Sequence, residues 1–257
     1  MQAPSRYTAK LEEKRVFNDK YMQLDFELVA PNEMRFTAGQ YVSIKVSPEG
    51  DRRSYSICSS PAIMHGFQLL IDVEPQGLGS RYLQNLELGQ EIELLGPLGR
   101  FVVQDDSMLA PGAFDVAAPQ PSVAERAAAE PPIVFVATGS GIAPFRSMVL
   151  DLLQEKKTTR KIILHWGMRL VEQLFWEDEF AELMESFPHF SFHPVISKPL
   201  AGWSLCSGRV TDCLRVHEQP EHAQYYLCGN AEMVTGVFEA LMSKGVDPAD
   251  IYHEKFY

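Results

Sequence analysis

The chain has 257 residues, 46% hydrophobic and 22% charged, an ordinary globular composition with room for one large domain or two of about 100–150 residues. Its net charge of -11 argues against nucleic acid and anionic membrane surfaces as partners, and no apolar run approaches the ~20 residues of a membrane span. The four cysteines, Cys58, Cys206, Cys213 and Cys228, match neither a zinc spacing nor the C-x4-C-x2-C run of an iron–sulfur protein, so no metal is expected; scattered thiols suit a reducing cytoplasm.

Residues 1–15 are polar and lack the apolar stretch of a secretory signal. Lys10, Lys14, Arg15, Lys20, Arg52 and Arg53 concentrate basic charge in this first quarter of an acidic chain. Residues 21–29, 41–46, 67–73 and 91–95 alternate apolar and polar side chains and are punctuated by Pro31-Asn32, Pro48-Glu49-Gly50 and Gly96-Pro97. Short strands at this spacing predict an antiparallel sandwich or barrel, with one short helix at 80–86. From 104 to 132 proline, alanine and aspartate replace the alternation, which reads as a linker or mobile loop, or else as a short surface helix over 123–130. Beyond it, 133–137 is a continuous apolar run, as in a strand buried on both faces. Helical pattern follows at 144–155, a strand at 162–166, a helix at 172–186, and further alternation through 190–195, 210–216, 225–228 and 232–244, an α/β domain with a parallel sheet. The domains are then 1–103, a linker at 104–131, and 132–257.

Four segments carry chemistry. In Arg53-Ser54-Tyr55-Ser56 an arginine fork suits a diphosphate, a tyrosine two residues on shares its face and suits a flat ring, and a serine hydroxyl stands beside it. An ordinary strand with one exposed arginine is the plainer reading. Gly77-Leu78-Gly79-Ser80 lets backbone approach a phosphate at a helix start, or is a simple turn with Ser80 as N-cap. Thr138-Gly139-Ser140-Gly141-Ile142-Ala143-Pro144 lies between a buried strand and a helix, the context in which a glycine loop cradles a pyrophosphate; Pro144 stands where a third glycine is usual, and proline suits a first helical turn. Cys228-Gly229-Asn230 follows another strand, and its plain reading is a buried structural thiol. Met233 is read as core.

Together with Gly39-Gln40-Tyr41, Gly96-Pro97-Leu98-Gly99-Arg100-Phe101 and the closing Ile251–Tyr257 stretch, these motifs resemble the ferredoxin–NADP reductase family, bacterial ferredoxin/flavodoxin–NADP reductases most of all. The resemblance covers residues 39–257 except the 104–132 segment. It implies two domains, an antiparallel β-barrel for FAD followed by an α/β parallel-sheet domain for NADPH. It implies hydride transfer between NADPH and bound FAD, with single electrons exchanged with a ferredoxin- or flavodoxin-like carrier. FAD would be held by Arg53, Ser54, Tyr55, Ser56, Gly77, Gly79 and Ser80, with Phe256 or Tyr257 over its ring and displaced by nicotinamide. NADPH would be held by Thr138, Gly139, Gly141, Pro144, Cys228, Gly229 and Asn230. Ser56, Cys228 and Glu254 would align the reacting atoms. Arg169, Lys198 and Arg209 match basic positions that hold a 2′-phosphate, and the strand at 162–166 is followed by no carboxylate until Glu172, against the NAD-type pattern. NADH stays possible, those three then being solvated loop charges. The competing functions are a flavin reductase, the electron-input subunit of an oxygenase or hydrogenase complex, and a non-enzymatic module that would tolerate loss of Ser56, Cys228 and Glu254.

Overall fold

The period-two stretches become strands of one antiparallel sheet: β1 (Ser5–Val16), β2 (Tyr21–Ala30), β3 (Tyr41–Lys45), β4 (Arg52–Ser56), β5 (Gly66–Asp72) and β6 (Glu91–Leu98). The computed structural model describes residues 3–74, 76–104 and 130–256, so the expected linker or helix within 105–129, and Tyr257, lie outside the described residues. The order β4-β3-β6-β1-β2-β5 brings the two edges together. There Ile57 bridges Leu69 and the Cys58 N–H donates to the Gln68 carbonyl at 2.9 Å. The sheet is therefore a nearly closed barrel and not a sandwich. Leu24, Ile44, Ile57 and Phe67 fill it. Helix α1 (Leu78–Gln84) places Leu83 in the same core. It starts two residues before the sequence pattern suggests, because Gly77, in extended conformation, is its N-cap. β1 was not legible in the sequence: its buried face is only Tyr7, Ala9 and Leu11, set among charged neighbours.

The second domain contains β7 (Ile133–Thr138), α2 (Ile142–Leu150), β8 (Ile162–Met168), α3 (Glu177–Ser186), β9 (Phe190–Ile196), α4 (Val210–Val216), β10 (Gln224–Asn230), α5 (Ala231–Ser243) and β11 (Ile251–Phe256). Its sheet is parallel throughout, in the order β11-β10-β7-β8-β9. Helices α2 and α3 cover one face, and α4 and α5 the other. Two helix expectations are corrected. α2 gives way at Asp151–Glu155 to a wider π-type turn. α3 begins at Glu177 rather than 172, because Leu174, Phe175 and Trp176 turn inward to the domain junction, with Trp176 at φ 59°.

The barrel docks on the α2–α3 face. Tyr21, Leu70 and Phe101 of the barrel are buried in one cluster with Phe145, Phe175 and Tyr226, and Phe17 stacks on Phe175 with centroids 4.7 Å apart.

Candidate functional site

The sheet order places a cleft. β8 and β9 add to one side of β7; the chain then crosses back and adds β10 and β11 to the other. In an open parallel sheet such a reversal leaves a crevice beyond the carboxyl ends of the two central strands. A cavity of about 630 Å³ lies there, lined by Thr138, Gly139 and Ser140 after β7, by Gly229 and Asn230 at the end of β10, and by Lys20, Tyr21 and Asp72 from the barrel.

Close backbone approach shapes its floor. Residues Gly139–Gly141 form a single 3-10 turn, fixed by the Trp166 Nε1–H donating to the Gly139 carbonyl at 2.9 Å. A Cβ on Gly141 would lie 2.3 Å from the Cys228 carbonyl oxygen, so only glycine lets these two loops meet. Pro144 is buried in the first turn of α2, as expected. Asn230 caps α5, its side chain accepting from the Met233 N–H at 2.8 Å. Met233 is buried in the core, as read from the sequence, yet also lines the cleft.

Register pairs Cys228 with Glu254 and Asn230 with Phe256 across β10 and β11. Burial, then the nearby Glu254 carboxylate, pushes the Cys228 thiol well above its ordinary range, which disfavours the thiolate that a nucleophile needs. Burial likewise raises the Glu254 carboxyl. Glu254 Oε2 and Thr138 Oγ1 are buried without a hydrogen-bond partner among the described residues. Unsatisfied buried polar atoms in a native site require an explanation, and an ordered water or a bound ligand supplies one. Phe256 lines the same cleft.

The second set gathers on the barrel. Arg53 and Tyr55 lie two apart on β4, and α1 closes on them: a Cβ on Gly79 would sit 2.3 Å from Tyr55 Oη and 2.8 Å from Arg53 Cγ. Burial pushes the Tyr55 hydroxyl up to about 12. Ser54 and Arg53 are exposed; Ser56 is buried opposite Tyr41. Ser80 Oγ donates to the Gly77 carbonyl at 3.1 Å and is not the N-cap. An exposed cation, an aromatic face and an uncapped helix start side by side fit the diphosphate and ring of FAD.

The expected cations divide. Arg169 and Arg209 line the cleft. Lys198 adjoins it through its N–H, which donates to the Arg169 carbonyl at 2.9 Å; its side chain does not line the cavity. Arg209 is engaged by Glu232 at 2.7 Å. Sequence reasoning missed Arg215, its partner Asp212 at 3.4 Å, and Glu232, all on the cleft wall. The carboxylates come from the first turns of α4 and α5, where acids are commonplace, so nothing in the sequence marked them. Lys20 and Asp72 carried no signal either, since they reach the cleft only through domain docking.

An antiparallel barrel joined to a parallel-sheet domain with a glycine-rich loop at its switch-point cleft is the architecture of a two-domain flavoprotein oxidoreductase. Residues 8–103 match the oxidoreductase FAD-binding domain and 135–239 the oxidoreductase NAD-binding domain. The chain belongs to the ferredoxin–NADP reductase family, and its cofactors are FAD and a nicotinamide nucleotide. It is 28% identical over 226 residues to the anthranilate 1,2-dioxygenase electron transfer component of Acinetobacter baylyi, covering 87% of this chain and 59% of that protein. It is 27% identical over 258 residues to a component of the Na(+)-translocating NADH-quinone reductase of Klebsiella pneumoniae, covering 92% and 57%. The chain thus spans somewhat over half the length of these relatives. Among solved structures, an Amycolatopsis cytochrome P450 reductase superposes with TM-score 0.82 at 25% identity, over all of this chain and 71% of that one. A ferredoxin NADP+ reductase from Neisseria gonorrhoeae shares the fold, with TM-score 0.74, 22% identity and full coverage of both chains. Among the described residues no helix is long and apolar enough to cross a membrane.

Proposed function

We propose that this chain is a cytoplasmic reductase that takes reducing equivalents from NADPH and delivers them singly to a ferredoxin- or flavodoxin-like protein. The observation that carries this reading is the cleft at the carboxyl ends of β7 and β10, lined by Thr138, Gly139 and Phe256, with Cys228 and Glu254 in register on the adjoining β10 and β11, and with Thr138 Oγ1 and Glu254 Oε2 lacking a hydrogen-bond partner among the described residues. FAD supplies the hydride and one-electron chemistry; the chain supplies position. Arg53 and the α1 start hold the diphosphate, Tyr55 flanks the ring, and Ser56 offers a hydroxyl at its edge. The Gly139–Gly141 turn receives the nucleotide pyrophosphate. Cys228 and Glu254 orient the nicotinamide, and Phe256 gives up its place to it. Positioning of this kind is worth up to several kcal/mol of barrier.

NADPH is favoured because Arg169, Arg209 and Arg215 face one cleft. The pairs Arg209–Glu232 and Arg215–Asp212 are exposed, and such pairs are weak, so a 2′-phosphate displaces the carboxylates readily. Half of the basic patch of the first quarter is paired with acids: Lys10 with Glu12 and Glu27, Arg15 with Glu13, and Lys20 with Asp72 and Glu74. With a net charge of -11, a strongly acidic carrier is repelled, and added salt is expected to speed its reduction. A second reading, the electron-input module of an oxygenase system, is supported by relatives named as electron transfer and reductase components. The all-thiol cysteines suit the cytoplasm.

The test is the visible spectrum of the desalted protein under anaerobic conditions, before and after equimolar NADPH or NADH. A retained flavin band that bleaches faster with NADPH is expected. A correctly folded protein that holds no flavin makes the chain a flavin reductase instead, and equal bleaching by NADH removes the NADPH preference. Replacing Phe256 by Ala is expected to relax nucleotide discrimination; unchanged hydride-transfer rates and preference would refute the displacement step.

A further inference from the structure

The loop between β9 and α4 carries a side-chain cluster that the flavin and nucleotide sites do not use. Cys206 Sγ lies 3.3 Å from His217 Nε2. The donor atoms of Cys206, Cys213 and His217 all fall within 4.8 Å of one another. Cys213 lies on α4 and His217, four residues on, is its C-cap residue, so the two side chains meet at one face of that helix end. At about 100° per residue, that face is opposite Thr211 and Arg215, which line the cleft. Cys206 is returned to the helix by β9: the Ile196 N–H donates to its carbonyl at 3.1 Å, and Ser207 bridges Ile196. The Trp203 Nε1–H donates to the same carbonyl at 3.0 Å. The spacing C-x6-C-x3-H resembles no short chelating loop, which is why the sequence predicted no metal. The fold, not the spacing, assembles the donors.

The geometry suits one ion. Tetrahedral zinc, with Zn–S near 2.3 Å and Zn–N near 2.0–2.1 Å, sets sulfur and nitrogen about 3.6 Å apart and two sulfurs about 3.8 Å apart. The 3.3 Å contact and the 4.8 Å limit straddle those values, so small side-chain rotations admit the ion. Two thiolates and an imidazole are also the donor set that borderline-soft metals prefer. Two further imidazoles lie on the same side of the sheet. His165 and His193, partners across β8 and β9, stack at 5.1 Å. They lie two residues along their strands from Ile163 and Val195, which pack with Cys206 and Cys213, so both imidazoles stand on the α4 face of the sheet. His165 is only 8% exposed, and its Nδ1 is buried without a partner among the described residues.

We propose that Cys206, Cys213 and His217 form a zinc site, two thiolates and one neutral imidazole, with water in the fourth position. Binding releases the two thiol protons to solvent. The ion ties the loop that carries Gly208 and Arg209 to the helix that carries Arg215. All three line the nucleotide cleft, so zinc stiffens that wall and tightens nucleotide binding. This last consequence rests on the nucleotide reading of the cleft; the metal site does not.

The test titrates the thiol-reduced, flavin-loaded protein with Zn2+ against a chromophoric chelator, and separately with Co2+. One zinc per chain is expected, with cobalt d–d bands of four-coordinate intensity to the red of the flavin absorption. Cys206→Ser and His217→Gln alter partly or fully exposed positions and are expected to melt as wild type does while losing at least about tenfold in zinc affinity. Zinc uptake that is substoichiometric, or equal in wild type and both variants, overturns the site. So does a reduced protein that ignores zinc but forms a Cys206–Cys213 disulfide with hydrogen peroxide, two thiols giving up two protons and two electrons as peroxide becomes water. If zinc binds and the NADP+ dissociation constant falls severalfold, the coupling stands; an unchanged constant with zinc bound overturns the coupling alone.

Discussion

Glu254, paired with Cys228 on β10, has one buried carboxyl oxygen with no hydrogen-bond partner among the described residues. Burial raises its pKa above the ordinary 4.5, so the folded state holds this proton more tightly than the unfolded chain does. The resulting stabilisation is complete below the unfolded pKa and is lost as pH rises through the folded one. Glu254→Gln keeps the shape and removes the titration. Its melting temperature is expected to match wild type near pH 4.5 and exceed it at neutral pH, while hydride transfer slows. A melting-temperature gap independent of pH contradicts this. The glycines make a contrast. On Gly141 a methyl meets the Cys228 carbonyl, which is backbone and cannot step aside; Gly141→Ala is expected to cost at least about 1–3 kcal/mol in denaturant unfolding. On Gly79 a methyl meets the Tyr55 hydroxyl and the base of the Arg53 side chain, so it pushes on the two side chains of this face and on no backbone. Gly79→Ala is therefore expected to fold but to lose flavin on desalting, and retention at the wild-type level would show that this face does not hold FAD.

Between elements, Arg146 on α2 ties several parts of the fold together. Its Nη1 donates to the Cys58 carbonyl and to Gln68 Oε1, both at 2.9 Å, its Nε to Glu179 at 2.9 Å, and its guanidinium lies 4.6 Å from the Trp176 ring centroid. It joins α2, α3 and the barrel seam while only 11% exposed. Arg146→Met strands a carboxylate and two acceptors, with an expected loss of about 3 kcal/mol, the low end for a broken buried pair because Glu179 keeps 29% exposure. An unchanged denaturation midpoint would show the clamp to be idle. These links also mark what a sequence hides. β2, β3, β5 and β7 were legible because each carries a local burial pattern, and the Gly139–Gly141 turn because a backbone constraint demands glycine wherever it occurs. The start of α3 was hidden because Phe175 and Trp176 answer to Phe17 and Tyr21, more than a hundred residues away. Asp212 and Glu232 were hidden because helix-start acids are ordinary, and Cys206, Cys213 and His217 because a β9 contact, not a spacing, unites them.

At the scale of the whole molecule the two domains share one apolar core. Domain interfaces within a chain are usually polar and let the domains move, unless the contact is large and hydrophobic. Here Tyr21, Cys58 and Leu70 of the barrel are buried with the fully enclosed Phe145 and Tyr226 of the second domain. The cleft walls, too, come from both domains. Separating the domains would expose that cluster and dismantle the nucleotide site, so we expect a single cooperative unfolding. Of the three tryptophans, Trp166 and Trp203 belong to the second domain and Trp176 to its junction with the barrel, whereas flavin release reports on the barrel; the two signals thus weight the two halves differently. Their transitions are expected to coincide in denaturant. A nucleotide at a hundredfold its dissociation constant stabilises by about 2.7 kcal/mol if it binds only the joined form, and both transitions should move together by that amount. Flavin release at a denaturant concentration well apart from the tryptophan transition, or an NADP+ shift confined to the tryptophan signal, would mean that the barrel stands alone and that the shared core does not couple the two halves.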